Sequence, residues 1–172
     1  SGALWAAHEA VRRLGIAEVD DDGTLRGKAM VVGASGAIGS ACARLLALAS
    51  DELWLVSPET AKLLQLKQDI ERDHPRAIVH VATNPSAALA EVDVIVTATS
   101  AAGHKVLDIM RVKPGCVITD VARPLDMSAD DIAKRFTAGS IKATDNSFQN
   151  ALKDAGWAVD FKMTRAMQDV AK

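Results

Sequence analysis

Three glycines in one fixed place constrain this chain more than any other feature. Gly33, Gly36 and Gly39 stand in the run Gly33-Ala34-Ser35-Gly36-Ala37-Ile38-Gly39, directly behind the apolar stretch Lys28 to Gly33 and directly ahead of a helical pattern from Ala37 to Ala49. Strand, glycine loop and helix together open a βαβ unit of the kind that cradles a pyrophosphate. Each glycine has a separate task there: Gly33 permits the tight turn, Gly36 lets the backbone approach the phosphates, and Gly39 lets helix and strand pack closely. Backbone N–H groups from Ser35 through Ile38 then face the phosphates, the helix dipole favours their charge, and the Ser35 hydroxyl adds a donor. The same spacing also fits a glycine-rich turn that merely closes a βα unit, so the surrounding pattern has to decide.

That pattern is a sustained alternation. Strand-like segments at Lys28–Gly33, Glu52–Ser57, Ile78–Ala82, Asp93–Thr97 and Cys116–Asp120 are separated by helical ones at Ala37–Ala49, Thr60–Arg72, Ser86–Ala90 and Val106–Met110. The strand segments are near-continuous apolar runs, which implies a sheet covered on both faces. The expected fold is therefore α/β: a Rossmann-type, doubly wound parallel sheet of five or six strands with helices on both faces. A leading helix (1–16) precedes it, the segment Ala17–Gly27 reads as an exposed connection, the core spans 28–124, and 125–172 reads as a C-terminal helical extension of one domain. In that tail Ser128 with Asp131 looks like a helix start, Ser140–Ala143 like a short sixth strand, and Met163–Val170 like a helix.

In such a sheet the ligand lies at the carboxyl ends of the strands. The second strand ends at Ser57, where a carboxylate would select NAD by holding the adenosine ribose; with Ser57 there and Lys62 one turn into the next helix, the balance leans to NADP over NAD, while Glu59 opposes it. Ser57 is equally a helix-entry residue and Lys62 a solvated charge. The fourth strand runs into Ala98-Thr99-Ser100, small residues that leave room for a nicotinamide ring. The fifth ends in Asp120 with Arg123 close behind, either contacts for the nicotinamide amide or substrate, or simply a loop ion pair. Among the histidines, only His104 falls near this crevice.

Composition narrows the partners. A 172-residue chain with 49% hydrophobic residues, a formal charge of −2 and interspersed signs has no electrostatic footprint for nucleic acid. No segment is long and apolar enough for a membrane span, and no secretory leader is legible, so a cytoplasmic location is expected. Cys42 and Cys116 form neither a redox pair nor a metal pattern with histidine; no metal is expected and both read as packing residues. The residues leave the oligomeric state open, a homo-oligomer included.

Three runs, Gly33 to Ser40, Thr97-Ala-Thr-Ser100 and Asp120-Val-Ala-Arg-Pro124, resemble the NADP-binding domain of aldehyde-forming long-chain acyl-[acyl-carrier-protein] reductases, and are similar to shikimate-dehydrogenase-like and amino-acid-dehydrogenase-like domains. The resemblance covers roughly Ala3 to Arg135. It implies an acyl thioester taken by a cysteine and reduced by NADPH, but no cysteine follows Cys116, and neither Cys42, in the helix behind the glycine loop, nor Cys116, at a strand start, suits that attack. No catalytic nucleophile is carried over. The chain thus reads as the cofactor domain of an oxidoreductase that moves hydride between a nicotinamide dinucleotide and a carbonyl or acyl thioester, the substrate being bound with a further domain of a larger enzyme. A domain that senses the dinucleotide, or serves as scaffold without turnover, needs the same loop and is the alternative.

Overall fold

The computed structural model describes residues 2–100, 106–122, 126–127 and 130. The chain divides into two units, Ser1–Arg135 and Phe136–Lys172; the fold below belongs to the first. The helix start at Ser128, the strand expected at Ser140–Ala143, the helix at Met163–Val170, and both Arg123 and His104 lie outside the described residues.

Helix α1 (Gly2–Leu14) leads into a short strand β1 (Glu18–Val19), and then β2 (Leu25–Val32), α2 (Ala37–Ala49), β3 (Ser50–Val56), α3 (Thr60–Asp73), β4 (Ile78–Ala82), β5 (Val94–Thr97) and β6 (Val117–Asp120) follow. The strands lie in the order β4-β3-β2-β5-β6, with β1 attached to β2. All pairs but β1·β2 are parallel. The winding reverses at β2, whose neighbours are β3 on one side and β5 on the other, so this doubly wound sheet has its switch point at the end of β2.

Burial explains why the central strands carry no alternation. Ala29, Met30, Val31 and Val32 are all within 4% of full burial, because their side chains enter two different cores. Ala29 and Val31 meet Val11 of α1, Ala43 and Leu46 of α2, and Leu63 and Ile70 of α3 on one face. Met30 and Val32 meet Ile95, Leu89, Val92 and Leu107 on the other. The three α-helices cover the first face. On the second, the described cover consists of short 3-10 turns at Pro85–Ala87 and Ile109–Arg111 with their flanking loops.

Two expectations change here. The segment read as an exposed connection is a hairpin: Glu18 pairs with Arg26 and Val19 with Leu25, the Asp20 and Gly23 amides close the turn, and the Asp22 carboxylate accepts the Thr24 amide at 2.9 Å. The aspartates that looked like solvated loop therefore build a turn, and the strand begins at Leu25 rather than Lys28. The helical stretches expected at Ser86–Ala90 and Val106–Met110 are 3-10 turns, capped by the side chains of Asn84 and Asp108. Segments of five residues cannot repay the nucleation of an α-helix.

Candidate functional site

The loop between β2 and α2 is held from both sides. The Gly33 amide donates to the Val56 carbonyl at 2.8 Å and the Ala34 amide to the same oxygen at 3.2 Å. Gly33 has φ +83°, and a Cβ there would lie 2.7 Å from the Ala98 carbonyl oxygen, so the turn and the neighbouring β5 loop both require glycine. A Cβ on Gly39 would lie 2.1 Å from the Gly33 carbonyl oxygen, which is how closely α2 sits on the turn.

Gly36 is different. Its backbone is extended (φ −80°, ψ 167°), a conformation open to any residue, and a Cβ would meet nothing nearer than the Gly33 carbonyl oxygen at 3.5 Å. Nothing in the protein's own packing demands a glycine. Gly36 also caps α2 without any side-chain hydrogen bond, and Gly36, Ala37 and Ile38 are exposed. An uncapped helix start thus opens onto a cavity of about 520 Å³ lined by Gly33, Ser35 and Gly36, by Ser57, Pro58 and Glu59, by Thr83 to Pro85, and by Ala98, Thr99, Ser100 and Val106. Ala34 is fully buried and contributes to the loop only through its backbone.

On the β3 side of the cavity the polar groups form one network. The Ser35 and Ser57 hydroxyls are 2.8 Å apart, and Ser35 donates to Glu59 Oε2 at 2.6 Å. The Glu59 amide donates to the Ser57 hydroxyl at 3.2 Å. Lys62 Nζ sits 2.6 Å from Glu59 Oε1. The Lys62 ammonium and then the Ser35 hydroxyl hold the Glu59 carboxyl below its ordinary pKa, so it is charged at neutral pH. Glu59 lines the cavity and Lys62 does not.

On the β5 side the arrangement departs from simple expectation. The Ala98 amide is taken by the Val32 carbonyl at 2.9 Å. The Thr99 amide donates to Asp126 Oδ2 at 3.2 Å and the Thr99 hydroxyl to Asp126 Oδ1; of Ala98, Thr99 and Ser100, Ser100 is the exposed one. Asp120 accepts the Ala122 amide at 3.0 Å and the Met127 amide at 3.0 Å, so its carboxylate is engaged by backbone on either side, next to Asp126 at the second of them. The sequence brought Ser35, Gly36, Ser57 and 98–100 to one cleft, where the structure also places them. It gave no signal for Asp126, a lone aspartate in a weakly patterned segment, and none for Thr83 and Asn84 at the end of β4. Among the described residues no cluster of three or more His, Cys, Asp or Glu could hold a metal ion, and no helix is long and apolar enough to cross a membrane.

No known protein family and no curated protein matches this sequence. Among solved structures the chain is similar to L-tryptophan dehydrogenase from Nostoc punctiforme, with a TM-score of 0.55 and 17% identity over 81% of this chain and 38% of that one. It is also similar to quinate dehydrogenase from Corynebacterium glutamicum in complex with NAD, with a TM-score of 0.50 and 18% identity over 67% of this chain and 41% of that one. The likeness establishes the Rossmann-type fold. The chain spans about two fifths of the length of either structure.

Proposed function

We propose that this chain is the cofactor domain of an oxidoreductase, holding a nicotinamide dinucleotide with its pyrophosphate over Gly36 at the start of α2. The observation that carries the reading is the bareness of Gly36: a glycine that neither backbone conformation nor packing requires, at an uncapped helix N-terminus, facing a cleft of ligand size. The quinate dehydrogenase structure, of the same fold, contains NAD. Bound there, the cofactor would supply hydride chemistry, exchanging hydride with a carbonyl or acyl thioester; the protein's part is to orient it. Substrate contacts would come from residues beyond this fold, and binding without turnover is what the sensor alternative predicts.

The ribose end favours NAD. Ser57 and Lys62 suggested NADP, but the ammonium of Lys62 is engaged by Glu59, and it is the charged Glu59 that lines the cleft. A carboxylate there accepts ribose hydroxyls and repels a 2′-phosphate.

Calorimetric titration of NADH and NADPH into the wild-type chain and Gly36→Trp tests both statements. Binding of NADH about tenfold tighter than NADPH, lost in Gly36→Trp and levelled in Glu59→Gln, is the expected result. Absence of binding to the wild type would reduce the glycine loop to a structural turn. Tighter binding of NADPH would return the ribose end to Ser57 and Lys62.

A further inference from the structure

The sheet order separates the two ends of the cleft. Ser57 and Glu59 follow β3 and Ala98 to Ser100 follow β5, on opposite sides of Gly33 at the end of β2. With a pyrophosphate over Gly36 and the adenosine ribose against Glu59, the nicotinamide half falls on the β5 side. On that side Ala98 is held by the end of β2 and the glycine turn, and Thr99 by a carboxylate that does not line the cleft. The Ala98 amide is held by Val32, the Ala98 carbonyl abuts Gly33, and both the amide and the hydroxyl of Thr99 donate to Asp126. Asp126 in turn follows β6 in the chain, and its neighbour Met127 is held there by Asp120, which accepts the amides of Ala122 and Met127. Two loops from neighbouring strands are thus clasped by one carboxylate.

We infer that Asp126 is a positioning residue for the nicotinamide half of the cofactor. Its carboxylate acts through Thr99: it takes the amide and hydroxyl donors of that residue, fixes the wall from Ala98 to Ser100, and leaves the exposed Ser100, among the described residues of the wall, as a polar group presented to the ring. A wall set before the ligand arrives spares the ordering cost of binding, and charge-assisted hydrogen bonds from an amide and a hydroxyl are strong enough to set it. The inference rests on the dinucleotide reading above, and the adenine half of the cofactor serves as an internal control, because its contacts lie on the far side of Gly33.

The test is calorimetric titration of ADP, which carries adenosine and a pyrophosphate alone, and of NADH and NADPH, into the wild-type chain, Asp126→Ala, Asp126→Asn, Thr99→Val and the double variant Asp126→Ala/Thr99→Val, with circular dichroism confirming that each is folded. ADP should bind all five alike. Whichever dinucleotide binds the wild type more tightly should bind Asp126→Ala about tenfold more weakly, Asp126→Asn by an intermediate factor because one acceptor oxygen remains, and the double variant no more weakly than Asp126→Ala. Equal losses for ADP and dinucleotide, or no loss for either, would overturn the inference while leaving the dinucleotide reading in place. A wild-type chain that binds neither ADP nor a dinucleotide overturns both. Should Asp126→Ala fail to fold, Thr99→Val and Asp126→Asn carry the same comparison.

Discussion

The three glycines behind β2 look equivalent in the sequence and are not equivalent in energy. At Gly33 a side chain meets a positive φ and a carbonyl oxygen 2.7 Å away. At Gly39 the backbone of the turn itself stands within 2.1 Å of the added atom. Strain of both kinds has to be relieved by moving backbone, so Gly33→Ala and Gly39→Ala should each lower stability by about 2–4 kcal/mol in urea denaturation. Gly36→Ser should leave stability within about 0.5 kcal/mol of wild type, since the position is extended and serine is as good an N-cap as glycine. The same serine should cost most of the dinucleotide affinity. A loss of stability at Gly36 as large as that at Gly33 would mean that the fold itself needs this glycine, and would remove the argument for a ligand.

At the scale of elements, the sheet is held at its amino ends by a contact as specific as those at its cleft. Asp93, 6% exposed just ahead of β5, accepts the Lys28 amide of β2 at 3.0 Å and pairs with Lys113 ahead of β6, so one carboxylate ties β2 to the segments that lead into β5 and β6. Asp93→Ala strands a backbone donor, and a cost of about 2–3 kcal/mol is expected. Asp93→Asn keeps the acceptor and should cost about 1 kcal/mol less, because Lys113 is partly solvated and its ion pair correspondingly weak; equal losses would place the energy in the ion pair instead. Among the described residues, the five parallel strands and three α-helices were legible because long apolar runs and helical spacing are properties of the chain itself. The β1 hairpin was not, since three aspartates read as solvent until their carboxylates and amides are seen closing a turn. The 3-10 turns over the second face read as helices in the sequence for a related reason: spacing gives periodicity but not whether a segment is long enough to offset the cost of its nucleus. In the cleft, Gly36 and Ser57 could be placed by counting from strands, whereas Asp126 is brought to Thr99 by tertiary structure that no local pattern announces.

For the molecule as a whole, two measurements separate what the fold does alone from what a ligand does to it. Burial, and then the Asp93 charge, push the Cys116 thiol up to about 12 from an ordinary value of 9.0. Between those limits the native thiol keeps its proton while the unfolded one loses it, so the native state binds more protons and stability falls as pH rises through that window. The drop in urea midpoint from about pH 8 to about pH 10.5 should be smaller in Cys116→Ala than in wild type, with lysine titration cancelling between the two; identical drops would mean that the thiol is as accessible folded as unfolded. Ligand linkage works in the opposite sense and needs no catalysis. A dinucleotide that binds only the native state, at about 100 times its Kd, adds about 2.7 kcal/mol, which for a chain of this size raises Tm by about 5–10 °C. That shift should appear with NADH, shrink with NADPH because Glu59 repels the added phosphate, and vanish in Gly36→Trp, whether or not any substrate is ever turned over. An enzyme domain and a sensor predict the same shift, so its presence fixes the ligand, and the oxidation of bound NADH by an added carbonyl or thioester compound, measured with the substrate-binding residues beyond this fold present, then divides the two. If heating curves are unchanged by either dinucleotide while ADP alone raises Tm, the cleft is an adenine-nucleotide site, and the small residues after β5 serve packing rather than a nicotinamide ring.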